Sequence, residues 1–91
     1  IEAIIRAVAD HFETTPQQLK AKSNERRVAF PRQVAMALAK ELTLASLPEI
    51  GKAFGNKHHT TVLHSIRKIA EQRESDTDLD KLLHRLSDSF N

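Results

Sequence analysis

The sequence predicts an all-α fold, a compact bundle of about six helices containing a helix-turn-helix. Three observations carry that prediction. Apolar residues recur at helical spacing in nearly every segment. Capping-box spacings announce helix starts at Thr15 and at Ser46. Two glycines and a lone Val28-Ala29-Phe30 run, without period-two alternation elsewhere, leave little from which to build a sheet.

Ile1, Ile4, Ile5, Val8 and Phe12 open the chain on an amphipathic helix expected to end near Glu13. The pattern is under way at the first residue with no cap before it, so the chain reads as a piece of a longer protein whose missing part precedes it. That helix either docks on this domain or only leads to an absent module. Thr15, Pro16 and Gln18 supply a cap and a proline at the first helical position, setting a short helix that places Leu19 in the core. Residues 20–27 lack apolar periodicity and are rich in cations, which reads as an exposed loop or arm. It is either a solvated connector or a contact to phosphate or a minor groove. Pro31 is expected in the first turn of the next helix, with Phe30 extended before it. From there Val34, Ala35, Leu38 and Leu42 form a buried stripe that leaves Arg32, Gln33 and Lys40 outward.

Ser46 and Glu49 start a helix near Leu47 whose inner face holds Leu47, Ile50 and Phe54. Gly55 and Asn56 tolerate the left-handed turn that stops it. In the following helix Val62, Leu63, Ile66, Ile69 and Ala70 are apolar on one side, leaving Thr60, Thr61, His64, Arg67 and Lys68 on the other. Residues 46–74 thus have the layout of a helix-turn-helix, in which the amino end of the second helix enters a major groove. Any two-helix corner with a glycine turn would share the pattern. The last helix takes its cap from residues 75–78 and turns Leu79, Leu82, Leu83, Leu86 and Phe90 to the core.

Ninety-one residues suit one domain, residues 1–91, and the absence of cysteine leaves no disulfide or thiolate metal site to consider. No apolar run reaches membrane-spanning length. A net charge of +2 is too small to imply a polyanionic partner, but its distribution is informative. Lys20, Lys22, Arg26, Arg27 and Arg32 face a single acid, Glu25, whereas Glu74, Asp76, Asp78, Asp80 and Asp88 make the last segment acidic. A polyanion would meet the middle of the chain first.

His58, His59 and His64 invite a metal reading, yet His59 and His64 are five apart, off the spacing that puts two ligands on one helical face. Ser65 and His64 are adjacent and do not face each other as nucleophile and base. No glycine-rich phosphate cradle occurs, so no ATPase chemistry is expected here. Two further functional classes fit the same charges, a helical module for an acidic protein partner and a nonspecific DNA-binding module.

Leu47-Pro48-Glu49-Ile50-Gly51, Phe54-Gly55 and His59-Thr60-Thr61-Val62-Leu63-His64, with Ala29-Phe30-Pro31-Arg32-Gln33 upstream, resemble the C-terminal DNA-binding domain of the DnaA family of bacterial chromosomal replication initiators. The resemblance covers nearly the whole chain. It implies sequence-specific binding of double-stranded DNA at DnaA boxes of the replication origin, in the bacterial cytoplasm. It also implies a monomeric isolated domain within an oligomerising, ATP-binding full-length protein, with no cofactor in this fragment.

Carried over position by position, His59 and Thr60 read bases and Thr61 contacts phosphate. Leu47 abuts the backbone and Pro48 a thymine methyl, while Arg32, Gln33, Lys40 and Lys68 contact phosphate. Three departures stand out. The family's Gly-Gly-Arg-Asp before His-Thr-Thr is here Gly55-Asn56-Lys57-His58. Lys57 keeps the charge, toward the backbone, without arginine's planar fork. His58 replaces an acidic base reader, so preference at one base pair is open. Asn24 falls where many members place a minor-groove arginine, and Lys22 or Arg26 is then expected to supply the charge. The resemblance aside, threonine suits the thymine methyl and histidine combines an apolar ring with an N–H donor. With no carboxylate three residues after His59 or Thr60, the first amides of that helix are expected to be free for phosphate.

Overall fold

The computed structural model describes residues 1–90. Within them the chain forms six helices, α1 Glu2–His11, α2 Pro16–Lys20, α3 Arg26–Leu42, α4 Leu47–Ala53, α5 His59–Ser75 and α6 Thr77–Asp88. Their order and number are those read from the periodicity.

The long helix α3 is the centre of the packing, lying against α5, α1 and α2 and touching α4 and α6. Val34, Ala35, Met36, Leu38 and Ala39 of α3 are fully buried, as are Ile5, Val8 and Ala9 of α1. Ile50 and Phe54 from the α4 segment, Val62 and Ile69 from α5 and Leu79 and Leu83 from α6 join that core with Leu19. Burying such side chains is worth about 1.5–3 kcal/mol each. Helix α1 therefore docks on α3 instead of merely leading away, and Lys20 fastens it to α2 through Glu2 at 3.0 Å.

Local signals explain most boundaries. Thr15 Oγ1 accepts from the Gln18 amide, and at Ser46 both halves of the capping box form, with the Glu49 amide donating to Ser46 Oγ and the Ser46 amide to Glu49 Oε1. The α1 terminus is a Schellman turn in which Thr14 N–H reaches the Ala9 carbonyl and Glu13 takes the left-handed position, φ 56°. Asp76 serves two helices, its amide donating to the Gln72 carbonyl and its carboxylate accepting from the Leu79 amide. Arg73 then pins α6 to α5 through Asp80 at 2.8 Å.

Three expectations are corrected. Helix α3 begins at Arg26 and not at Pro31, so Phe30 is helical and the last two residues of the presumed loop, Arg26 and Arg27, belong to its first turn. Pro31 lies inside the helix, where it has no N–H for the Arg27 carbonyl; its burial in the packed body offsets that loss. Phe90 lies past the end of α6 and is 38% exposed, because the helix stops at Asp88 before another turn can bring the ring inward. In α5 the buried stripe is narrower than expected, with Ala70 exposed and Leu63 half-buried.

Candidate nucleic-acid interface

Helix α4 lies against α5, and the turn between them is set by backbone proximity. A Cβ on Gly51 would overlap the Lys57 carbonyl oxygen, and one on Gly55 would overlap the Lys20 carbonyl oxygen. Gly55 and Asn56 take positive φ, 83° and 60°, which reverses the chain in two residues. The Lys57 amide then donates to the Gly51 carbonyl at 2.8 Å, closing the corner.

That corner presents the amino end of α5 to solvent. His58, His59, Thr60 and Thr61 are all exposed, as are His64, Arg67 and Lys68 further along, while Val62, Ser65 and Ile69 turn inward. Pro48, Glu49, Lys52, Asn56, Lys57, His58 and His59 line a shallow concavity between α4 and the start of α5. Pro48 is exposed and Leu47 half-buried at the first turn of α4. Lys52 and Asn56 were not singled out from the sequence. Lys52 stands one helical turn beyond Pro48, a spacing that could have found it.

The α5 amino end is not bare. His58 is its cap: Nδ1 accepts from the Thr60 amide at 3.2 Å and lies 2.7 Å from Thr60 Oγ1, while the Thr61 and Val62 amides donate to the His58 carbonyl. The expectation of free first amides is thus corrected at Thr60 and Thr61. An imidazole nitrogen has taken the place that Ser, Thr, Asp or Asn usually fills. The His58 and His59 rings lie 4.3 Å apart with their planes tilted by 30°.

Two of the expected phosphate contacts are also structural clasps. Arg32 is buried instead of outward, with Nε donating to the Leu19 carbonyl and Nη2 to the Ala21 and Ser23 carbonyls at 2.8 and 2.9 Å. It holds the loop of residues 21–25, and burial pushes its pKa down from the ordinary guanidinium value. Lys57 is half-buried and its Nζ donates to the Lys20 and Phe54 carbonyls. Its pKa is lowered first by burial and then by the charges of Arg32 and Lys22, which brings the basic loop and the helix-turn-helix into one positive field.

The other cations are free of such duties or only lightly held. Lys22 and Asn24 are exposed in the loop, and Arg26 is exposed in the first turn of α3 with its guanidinium 5.2 Å from the Phe30 ring centroid. Gln33 is half-buried, and Lys40 in the last turn of α3 is exposed. Among the described residues there is no group of three or more potential metal ligands, and no helix is long and apolar enough to cross a membrane.

Residues 1–69 match the family described as the bacterial dnaA protein helix-turn-helix. The chromosomal replication initiator protein DnaA of Thermus thermophilus is 50% identical over 86 residues, which are 94% of this chain and 20% of that protein. That of Laribacter hongkongensis is 52% identical over 81 residues, 89% of this chain and 17% of the relative. The chain therefore spans about a fifth of the length of the curated relatives it matches. A crystal structure of a DNA replication initiation factor superposes with a TM-score of 0.86 at 30% identity, over 96% of this chain and 26% of that one. The chain belongs to the bacterial DnaA family, as its DNA-binding helix-turn-helix domain.

Proposed function

We propose that this chain binds DnaA boxes in double-stranded DNA at the chromosomal origin, as one domain of a cytoplasmic replication initiator. The observation that carries the reading is the amino end of α5, where four consecutive polar residues, His58 to Thr61, are exposed above a buried Val62 and Ile69. In this reading His58, His59 and Thr60 meet base edges in the major groove with Pro48, and Leu47 and Thr61 meet the backbone. Asn24 enters the adjacent minor groove while Lys22 and Arg26 neutralise phosphates beside it. Lys40 and Lys68 flank the duplex, joined by Gln33. Lys57 has one ammonium proton beyond its two carbonyl bonds for phosphate, and Arg32 acts by shaping the loop.

The isolated domain acts as a monomer, with α1 as the end of a connector. ATP binding and self-assembly belong to other parts of the full-length protein. A gel-shift at two salt concentrations tests this with a DnaA-box duplex and a scrambled duplex. Tighter binding to the box at both salts is the expected result. Equal binding to both would leave only nonspecific DNA association, and binding to neither would redirect the search to an acidic protein partner.

A further inference from the structure

The cap at the start of α5 selects one tautomer of the His58 imidazole. The Thr60 amide hydrogen is aimed at His58 Nδ1, so that nitrogen carries a lone pair and not a proton. Thr60 Oγ1, 2.7 Å from the same nitrogen, must then donate its hydroxyl hydrogen to it. A neutral imidazole with a bare Nδ1 holds its proton on Nε2. The ring is further held by His59 stacked beside it at 4.3 Å. Nε2 has no partner among the described residues, and His58 is exposed on the concavity shared with Pro48, Glu49, Lys52 and Lys57.

We propose that His58 is a specificity-determining residue that reads its base pair as a hydrogen-bond donor through Nε2–H, favouring guanine over cytosine on the strand it faces. In the major groove guanine offers N7 and O6 as neighbouring acceptors, whereas cytosine offers only its amino donor. A donor fixed at Nε2 meets the first and is opposed by the second. The same cap commits the Thr60 hydroxyl hydrogen, leaving Thr60 to present an oxygen lone pair and a methyl. The two side chains thus form a fixed donor and acceptor pair at one edge of the helix start.

This inference rests on the groove reading proposed above, and its test separates the two. Anisotropy titrations use the 91-residue chain with a box duplex, a scrambled duplex and a panel in which each base pair of the box is replaced in turn. The wild-type chain, H58D and H58S are compared, and both variants keep a side-chain cap on α5. At one base pair the wild-type chain is expected to prefer guanine over cytosine by about tenfold, the scale of one good base contact. H58D, an acceptor, reverses that preference and H58S abolishes it, with the ranking at all other positions unchanged. If H58S keeps the wild-type ranking throughout, or H58D fails to reverse it at any position, His58 does not read a base as a donor. If wild type fails to separate box from scrambled duplex, the groove reading itself has failed. Nitrogen-15 correlation spectra of the free chain check the premise independently: the protonated nitrogen is expected to be Nε2, and a proton on Nδ1 overturns the proposal.

Discussion

Gly51 lies against the carbonyl of Lys57 so closely that a Cβ would overlap the oxygen, and Lys57 returns its amide to the Gly51 carbonyl at 2.8 Å. The angle between the two helices of the motif is set by this pair. Gly51→Ala must push the turn away, and backbone has no rotamer with which to yield. We expect a loss of about 1–3 kcal/mol in urea unfolding, the usual range for overpacking, with a parallel loss of box affinity. An alanine variant as stable as wild type would show that the corner is looser than its geometry implies.

Arg32 supplies the only donors to the Leu19, Ala21 and Ser23 carbonyls among the described side-chain bonds. Arg32→Met removes the side-chain donor from the buried bond to the Leu19 carbonyl and from the part-buried ones to Ala21 and Ser23, at an expected cost of about 2–4 kcal/mol. Arg32→Lys should recover little, because one ammonium cannot span the positions that the guanidinium fork reaches. Thermal unfolding of both variants checks this. A mere phosphate contact would instead leave stability untouched and lower the salt slope of DNA binding.

These two residues mark what was and was not readable from the sequence. Gly55-Asn56 and the Ser46–Glu49 box are local chemistry, and both helix ends fell where that chemistry put them. The apolar stripes of α1, α3 and α6 were legible because their period matches the helix. Arg32 was not, since hydropathy patterns assign a charge to the outside and only the folded loop reveals three carbonyls converging on it. The start of α3 was missed for a related reason. Its first turn carries Arg26 and Arg27 and buries only Val28, and Glu25 at the N-cap makes no side-chain cap bond, so neither an apolar rhythm nor a capping motif announces it. At the candidate site the exposed face of α5 was readable from its phase, but the His58 cap was not, because imidazole lies outside the usual capping residues.

Stability should fall on acidification through two carboxylates. The Arg73 hydrogen bond holds Asp80 below the usual carboxylate range, and the Ser46 amide does the same for Glu49, helped by the Ser46 side chain. For a group whose pKa is lower in the folded state, the unfolded chain binds more protons in the interval between. The stabilisation is therefore complete above the unfolded value of about 4 and disappears as pH falls through the folded one. Urea midpoints at pH 7 and pH 3 should differ in that direction, and Asp80→Asn should narrow the gap while lowering the pH 7 midpoint. An undiminished gap would assign the acid sensitivity elsewhere.

Thr60 bonds to His58 and faces solvent at the second position of α5. Thr60→Ala should weaken box binding by about 1–3 kcal/mol, the range for one specific base contact, and change binding to random duplex little. Thr60→Val retains a methyl without the hydroxyl. Recovery by valine would assign the contact to a thymine methyl, and no recovery would assign it to the oxygen. Equal weakening of box and random DNA by alanine would move Thr60 from base edge to backbone.

Lys68 offers the complementary case. It is exposed on α5, two turns from Thr61, and sits on the flank of the helix beside that residue and not on its base-facing tip. A charge so placed has a phosphate within its reach but no base edge, and it brings no sequence information. Neutralising it should cost affinity on every duplex alike. Each released counterion contributes about 0.9 to the slope of log affinity against log salt, so Lys68→Ala should reduce that slope by about one unit on box and scrambled DNA together. Titrations between low and moderate salt decide the matter. An unchanged slope would take Lys68 off the duplex, and a reduction confined to the box would make it part of sequence readout.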